Sequence, residues 1–181
     1  MRVESFKGAL LSALMITSII ALAIPLLSPS PVHAALTSHA PIFIKGDSGF
    51  ISPDPVNGGG SGTASDPYII ENWDISAGSA NGIAIWNTTA YFIVRNCLVE
   101  NCASSYDGIC LEGGANGKIE NNTCTRNNGC GIFLYYSDNN YIENNTCSNN
   151  EAGIELNSYC SNNTISGNIC SNNNWEGIRL Y

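Results

Sequence analysis

The chain has 181 residues, a formal net charge of −8 and only 12% charged residues, so it is long enough for one ordinary domain. Seven Lys plus Arg residues argue against nucleic acid as a partner, because affinity for phosphate backbones depends mainly on cationic side chains. The 18 glycines and the many asparagines favour turn-rich β structure over helix.

Residues 1–34 have the pattern of a secretory signal peptide. Arg2 and Lys7 precede an apolar run over residues 8–27, and Val32-His33-Ala34 resembles a cleavage site. The run is also long enough for an uncleaved membrane anchor, since about 20 apolar residues span a bilayer. Both interpretations predict that the rest of the chain is secreted or held at the cell surface.

Residues 35–67 are aperiodic and are predicted to form a leader and an N-terminal cap. Residues 41–45 resemble a strand, and the remainder is rich in Gly, Ser, Asp and Pro, which is typical of loops. Because a solenoid needs its first coil covered, residues 41–67 are predicted to be the cap and residues 35–40 a mobile leader.

Three aspartates in this segment offer the oxygen ligands that calcium prefers, namely Asp47, Asp54 and Asp66. They lack the regular spacing of a calcium loop, and Asp beside Pro is equally typical of turns. Calcium is therefore the one cofactor that the sequence suggests, and no other cofactor is predicted.

Residues 68–181 repeat with a period near 23 residues. Asn-Asn-Thr-Cys at residues 121–124 recurs at residues 144–147, and Gly-Asn-Ile-Cys follows at residues 167–170. A period of this length is typical of stacked supersecondary units that cover one another's apolar faces.

Four apolar columns extend the repeat over five coils. Members of the last two columns lie two residues apart, as expected for strands whose alternate side chains point inward. The predicted columns are Ile70, Ile93, Ile119, Ile142 and Ile165; Ile75, Leu98, Cys124, Cys147 and Cys170; Ile83, Ile109, Ile132, Ile154 and Ile178; and Ile85, Leu111, Leu134, Leu156 and Leu180. The outward residues between the last two columns are predicted to be Ala84, Cys110, Phe133, Glu155 and Arg179.

Asparagines are predicted to occupy the corners between strands. Asn tolerates left-handed backbone, and stacked amides can bond from coil to coil. Two ladders are predicted, one with Asn96, Asn122, Asn145 and Asn168, the other with Asn101, Asn127, Asn150 and Asn173, and a third set contains Asn116, Asn139 and Asn162. Four glycosylation sequons begin at Asn87, Asn121, Asn144 and Asn162, of which Asn87 is preferred because it lies outside these sets.

Three of the eight cysteines, Cys124, Cys147 and Cys170, are predicted to fill the core as small apolar side chains. Stacked side chains about 4.8 Å apart are too widely spaced for a disulfide. The cysteines are therefore predicted to be mostly reduced.

The runs NNTCTRNNGCGIFL (residues 121–134) and NNTCSNNEAGIEL (residues 144–156) resemble the right-handed parallel β-helix repeat. That repeat occurs in pectate-lyase-like proteins, in copper-binding periplasmic β-helix proteins and in cell-surface proteins. GSGTASDPYIIENWDI (residues 60–75) and YFIVRNC (residues 91–97) are similar to the archaeal-type surface members. The resemblance implies an all-β, right-handed parallel β-helix. The leucine-rich repeat has a similar period, but its L-x-x-L-x-L signature does not occur in this sequence. Function stays open, because this architecture serves enzymes, binding proteins and rods.

No catalytic set is predicted. The two histidines, His33 and His39, precede the repeats, and the chain lacks both the aspartate cluster and the Gly-His-Gly of polygalacturonase-like hydrolases. A pectate-lyase-like site would need a cationic base and calcium-binding carboxylates, for which the candidates are Arg95, Lys118 and Arg126 with Glu100, Glu120 and Glu143. These residues are interpreted as solvated outward side chains.

Aromatic residues flank the predicted outward column, and aromatic rings can stack on the apolar faces of sugars. The candidate carbohydrate-binding residues are Trp86, Phe133, Tyr135, Tyr136 and Tyr181, although exposed aromatics also simply favour strands. The first hypothesis is a non-catalytic structural or glycan-binding rod, secreted or at the cell surface. A polysaccharide lyase or glycoside hydrolase is the alternative, and a copper maturation partner is the second alternative, for which the repeats offer no histidine ligand.

The sequence ends directly after Leu180, which leaves the last predicted coil uncovered. An open solenoid end presents unpaired backbone groups and apolar side chains. The sequence is therefore interpreted as a fragment of a longer protein, or as a chain that self-associates through its C-terminal coil.

Overall fold

A computed structural model describes residues 35–51 and 56–181, which form a parallel β-helix of five coils preceded by a partial coil. This confirms the predicted all-β class and the predicted number of coils. The signal segment predicted for residues 1–34, and Asp54, lie outside the described residues. Within the described ranges, no helix has the length and apolar character needed to cross a membrane.

The strands are numbered in chain order and form three parallel sheets. Sheet 1 contains β1 (Thr37–Ser38), β4 (Trp73–Gly78), β7 (Leu98–Cys102), β10 (Thr123–Thr125), β13 (Thr146–Ser148) and β16 (Ile169–Ser171). Sheet 2 contains β2 (Ile42–Lys45), β5 (Ile83–Thr88), β8 (Ile109–Gly114), β11 (Ile132–Tyr135), β14 (Ile154–Asn157) and β17 (Ile178–Leu180). Sheet 3 contains β3 (Tyr68–Glu71), β6 (Phe92–Arg95), β9 (Gly117–Glu120), β12 (Tyr141–Glu143) and β15 (Thr164–Ser166). Each full coil takes one strand from sheet 3, then sheet 1, then sheet 2.

The two inward columns of sheet 2 lie where the sequence predicts them. Ile109, Ile132 and Ile154 are in register on successive coils, and so are Leu111, Leu134 and Leu156 two residues later. The isoleucines are fully buried, so this sheet forms one apolar wall of the core. Burial of one large aliphatic side chain contributes about 1.5–3 kcal/mol, so the repeated column is a main source of stability.

Glycine precedes every isoleucine of the first sheet 2 column because the coils approach closely there. A Cβ on Gly108 would lie 2.6 Å from the carbonyl oxygen of Gly131, and a Cβ on Gly131 would lie 2.7 Å from that of Gly153. Both distances are shorter than van der Waals contact, so a side chain would push the coils apart.

The predicted register is wrong by one residue in coil 2. Val94, not Ile93, pairs with both Ile70 and Ile119, and Val99, not Leu98, pairs with both Ile75 and Cys124. The strand alternates with a period of two, so the one-residue error exchanges inward and outward faces. Ile93 and Val94, like Leu98 and Val99, are adjacent apolar residues, and hydrophobicity alone does not decide between them.

The prediction that residues 35–40 form a mobile leader is also wrong, because they include strand β1. Its Thr37 pairs with Trp73, and the ring of His39 packs 4.5 Å from that of Trp73. Strand β2 continues this partial coil into sheet 2, so part of the predicted cap is itself solenoid. A 3₁₀ helix over Asp47–Ile51 then places Phe50 against Tyr68 and Phe92, with ring centroids 4.9 and 5.5 Å apart.

The corners use asparagine in two different ways at neighbouring positions. The first residue of these corners has left-handed backbone and points away from the core, and it is exposed at Asn121 (φ +55°) and Asn144 (φ +56°). The next residue points inward and joins coils: the backbone N–H of Asn122 donates to Oδ1 of Asn145 at 2.9 Å. The inward ladders contain Asn122, Asn145 and Asn168 at one corner, Asn127, Asn150 and Asn173 at a second, and Asn140 and Asn163 at the third.

Asn96 and Asn101 do not belong to these ladders. They are left-handed bend residues (φ +53° and +59°), and the inward positions of coil 2 are taken by Cys97 and Cys102. The backbone N–H groups of these cysteines donate to Asn122 and Asn127 at 3.0 and 3.1 Å. This is the same one-residue error that affects the apolar columns of that coil.

The cysteines Cys124, Cys147 and Cys170 are in register on sheet 1. Cys124 and Cys147 are fully buried in the core, and Cys170 is half-buried on the last coil. All eight cysteines are free thiols in this structure.

Candidate binding face of sheet 2

The outer face of sheet 2 carries aromatic and charged side chains that point away from the apolar core. One outward column contains Phe43, Ala84, Cys110, Phe133, Glu155 and Arg179, and the column two residues later contains Lys45, Trp86, Glu112, Tyr135 and Asn157. The first column matches the predicted outward positions. It is not uniformly solvated, however, because Ala84, Cys110 and Glu155 are at most 5% exposed.

Four aromatic residues on coils 3 and 4 form a continuous cluster. The rings of Phe133 and Tyr135 are nearly parallel with centroids 6.4 Å apart, and Tyr136 meets Tyr135 edge-on at 4.4 Å. Tyr159 then stacks on Tyr136 at 5.1 Å. We call Phe133, Tyr135, Tyr136 and Tyr159 the aromatic platform. Tyr136 and Tyr159 are 48% and 76% exposed, so the platform presents ring surface to solvent.

The backbone of the platform is strained at its two most exposed residues. Tyr136 and Tyr159 have φ values of +49° and +52°. Left-handed backbone costs an L-residue roughly 1–2 kcal/mol, and asparagine and glycine adopt it most readily. Eleven of the 16 described non-glycine residues at positive φ are asparagines, which shows how the chain normally meets this requirement.

Two predicted binding residues are separate from the platform. Trp86 lies on coil 1, where its ring meets Phe43 edge-on at 4.9 Å, and Glu112 lies between it and Tyr135. The indole Nε1 of Trp86 is buried with no hydrogen-bond partner in the described structure. Tyr181 lies beside coil 5, with the guanidinium of Arg179 5.4 Å from its ring. The aromatics of this face therefore form three groups rather than one surface.

Carboxylates gather along one edge of the same face, around Cys130. The backbone N–H of Cys130 donates to Oδ1 of Asp107 at 2.7 Å, and its thiol donates to Oε2 of Glu155 at 3.3 Å. Arg179 covers Glu155, with its Nε 3.1 Å from Oε2. Asp107 and Glu155 thus contact the same residue from two coils.

These two carboxyl groups have opposite pKa shifts. Burial and, to a smaller extent, the charges of Glu155 and Glu151 together raise the pKa of Asp107 to about 7, although hydrogen bonds from Cys130 act to lower it. Burial also acts to raise the pKa of Glu155, but hydrogen bonds from Arg179, Asn157 and Cys130 outweigh it and hold the pKa below its usual value. Near neutral pH, Asp107 can hold a proton that Glu155 does not.

The residues considered for a lyase site are engaged in ion pairs. Arg95 Nε lies 2.7 Å from Glu71, and Arg126 pairs with Glu100. Lys118 bridges Glu120 and Glu143 on successive coils of sheet 3, at 2.9 and 3.4 Å. These pairs neutralise both the candidate bases and the candidate calcium ligands.

The two cap aspartates that the structure describes, Asp47 and Asp66, contact other parts of the cap and coil 1. Oδ1 of Asp47 accepts the Thr88 hydroxyl at 2.6 Å and the Thr89 and Ala90 backbone N–H groups at 2.9 and 3.2 Å. These hydrogen bonds lower the pKa of Asp47 and fix the 3₁₀ helix to coil 1. Asp66 is exposed and its backbone pairs with Thr63. Among residues 35–51 and 56–181, no group of three or more His, Cys, Asp or Glu side chains is placed to bind a metal ion.

The preferred sequon residue, Asn87, is exposed at a left-handed corner with φ +53°. Asn121, Asn144 and Asn162 have the same exposure and the same kind of backbone, with φ between +55° and +56°. The structure therefore does not single out Asn87 among the four sequons.

Sequence reasoning missed Asp107, Cys130, Glu112 and Tyr159. Asp107 and Cys130 both directly precede the Gly-Ile pair of their coils, and that position was a usable signal for the edge of sheet 2. Glu112 could be placed from its position directly after Leu111. Tyr159 carried no signal, because it follows an irregular corner that the period does not describe.

Residues 56–181 match the family model described as a right handed beta helix region. The match covers a little over two thirds of the chain. The chain belongs to the right-handed β-helix family. No curated protein and no solved structure matches the chain. Membership of this β-helix family establishes the architecture, and the chemistry of the outer face has to be argued from its residues.

Proposed function

We propose that this β-helix is a glycan-binding module that acts at the cell surface or after secretion, with the aromatic platform as its binding site. The observation that carries the proposal is the left-handed backbone of Tyr136 and Tyr159. Neither side chain belongs to the buried core, since Tyr136 is about half exposed and Tyr159 about three-quarters exposed, so burial does not compensate for the backbone cost. Strain kept at exposed aromatic residues is typical of a functional surface.

The chemistry of the platform fits sugar rings. Stacked and edge-on tyrosines offer flat apolar area together with hydroxyl groups that donate and accept hydrogen bonds. Phe133 and Tyr135 lie on β11, which is bonded to both neighbouring coils, and Tyr136 directly follows it, with its backbone N–H donating to Ser158. Little entropy is therefore lost at these residues when a ligand binds.

The test replaces the strained tyrosines with the residue that the other corners use. Tyr136→Asn and Tyr159→Asn relieve the backbone and remove ring area, whereas Tyr141→Asn removes an exposed tyrosine from sheet 3 as a matched control. We expect glycan-array binding by the parent chain and by Tyr141→Asn, with binding lost in the other two variants. Their stability should stay equal or rise by about 1 kcal/mol. No binding on the array, or binding unchanged by both variants, would overturn the proposal.

Glycoside hydrolysis is the second candidate, favoured by the carboxyl groups of Asp107 and Glu155. A protonated and an ionised carboxyl group in one site are the general acid and the base or nucleophile of such enzymes. The test of hydrolysis by this chain is the release of reducing ends from neutral polysaccharides. It is measured for the parent chain, Asp107→Asn and Glu155→Gln. Turnover that both variants abolish would favour the enzyme, and binding without turnover would favour the module.

A further inference from the structure

The outer face of sheet 2 has more carboxylates than cations around the platform. Glu112 is the register partner of Tyr135 on the preceding coil, and its charge acts on two neighbours. The hydrogen bond to Tyr136 is the largest cause of the raised pKa of Tyr135, and the charge of Glu112 contributes to it. Burial is the largest cause of the raised pKa of Cys110, which is about 12, and Glu112 contributes there too. Glu112 therefore faces the platform as a negative charge.

Neither cation of this face forms an ion pair with Glu112 in the described structure. Arg179 pairs with Glu155 and Glu176 on coils 4 and 5. Lys45 belongs to the same column as Glu112 but lies two coils away, which is about 10 Å. Among the residues that the structure describes, Glu112 has no ion-pair partner.

A ligand that carries a cationic group would give Glu112 an ion-pair partner. A sugar ring stacked on Tyr135 has its substituents within reach of the preceding coil, about 4.8 Å along the axis, where Glu112 lies. An ammonium group there would form a charge-assisted hydrogen bond with the carboxylate and could also contact an aromatic face. A uronic acid would place a like charge beside Glu112, in a chain whose net charge is already −8.

We propose that the platform binds amino-sugar polymers with free amino groups, and that Glu112 accepts the ammonium group of the sugar stacked on Tyr135. This inference rests on the proposed glycan-binding function. It names the class of glycan and the residue that selects it, and it excludes uronic-acid polymers as preferred ligands.

The test compares two oligomers that differ only in acetylation. Binding of the glucosamine hexamer and of the N-acetylglucosamine hexamer is measured by calorimetry, at a mildly acidic pH where the free amines are protonated, with a galacturonate hexamer as the anionic probe. We expect the glucosamine hexamer to bind about tenfold more tightly than its N-acetylated form and the galacturonate hexamer to bind most weakly. Glu112→Gln should remove the preference for the glucosamine hexamer over its N-acetylated form. Glu143→Gln on sheet 3 is the control and should leave that preference unchanged.

The outcomes separate this inference from the proposed function. Equal or tighter binding of the N-acetylated hexamer overturns the amino-sugar inference and leaves a glycan-binding module. A preference that survives Glu112→Gln overturns the assignment of Glu112. If neither the three oligomers nor the glycan array shows binding, the proposed function and this inference both fail.

Discussion

Asn144 and Asn145 are neighbours in the chain and serve opposite sides of one corner. Asn144 is exposed with φ +56°, whereas Asn145 is buried and bonds to the coils on both sides. Its backbone N–H donates to Oδ1 of Asn168 on coil 5 at 2.8 Å. The amide of Asn145 donates to the carbonyl of Ile119 at 2.8 Å, and its Oδ1 accepts the backbone N–H of Asn122 at 2.9 Å. The first asparagine bends the chain and the second joins three coils.

Replacement of these two asparagines should therefore have different effects on stability. Asn145→Ala removes the partner of two backbone groups of coil 3, the carbonyl of Ile119 and the N–H of Asn122, and we expect the free energy of unfolding to fall by about 3 kcal/mol. Asn144→Gly keeps the left-handed backbone accessible and should change it by less than about 0.5 kcal/mol. Urea denaturation measures both, and equal losses would contradict the division of tasks.

The sequence predicts sheet 2 well because two independent patterns, strand alternation and the repeat period, indicate the same inward residues. Ile132 and Leu134 are separated by two residues, follow a required glycine and recur on each coil, so alternation and period agree. Coil 2 offers no such agreement on sheets 1 and 3. Ile93 and Val94 are equally apolar, and the distances between neighbouring members of that column are 24 and 25 residues rather than 23. Extra residues at two corners thus hide the true register.

Substitution in β6 tests the corrected register directly. Val94 is fully buried and Ile93 is only half-buried, although isoleucine is the larger residue. We expect Val94→Ala to lower the free energy of unfolding by about 2 kcal/mol, because it opens a cavity in the core. Ile93→Ala should cost less than about 1 kcal/mol. The reverse order of the two losses would support the register predicted from the sequence.

The buried carboxyl group of Asp107 should make stability depend on pH. Its folded pKa of about 7 lies above the ordinary value of 3.8, so the folded chain binds a proton that the unfolded chain releases. Its contribution to stability is complete at low pH and is lost as the pH rises through about 7, with a loss on the order of 3 kcal/mol.

Asp107→Asn keeps an oxygen that can accept the Cys130 N–H and removes the titration. Thermal unfolding at about pH 5 and about pH 8 should show a smaller loss for this variant than for the parent chain. Equal losses in the two proteins would mean that Asp107 is ionised at little cost in the folded state.

The ion pair of Glu155 and Arg179 should contribute more than a surface pair. Their side chains are 6% and 16% exposed, so Arg179→Met leaves a buried charge without its partner. We expect a loss of about 3 kcal/mol, with much of it restored in the double variant Glu155→Gln/Arg179→Met. In the pair of Glu100 and Arg126, where the arginine is 58% exposed, Arg126→Met should cost less than about 1 kcal/mol. A double-mutant cycle for each pair measures the difference.

The candidate site could be predicted only in part. Phe133, Tyr135 and Tyr136 follow from alternation and from their aromatic character, and the structure brings them together. The positions of Trp86 and Tyr181 depend on the number of coils that separate them from Tyr135. The meeting of Asp107 with Glu155 depends on burial beside Cys130, which a linear sequence does not display.

The glycine column has a consequence for how this face can change. Gly108 and Gly131 let the backbones of successive coils touch, so the spacing between coils is set by main-chain contact and not by side-chain size. The outward side chains of successive coils are therefore held at a constant spacing. Substitution of one of them changes the chemistry at that position without moving the neighbouring coils, so ligand preference can change while the backbone stays the same.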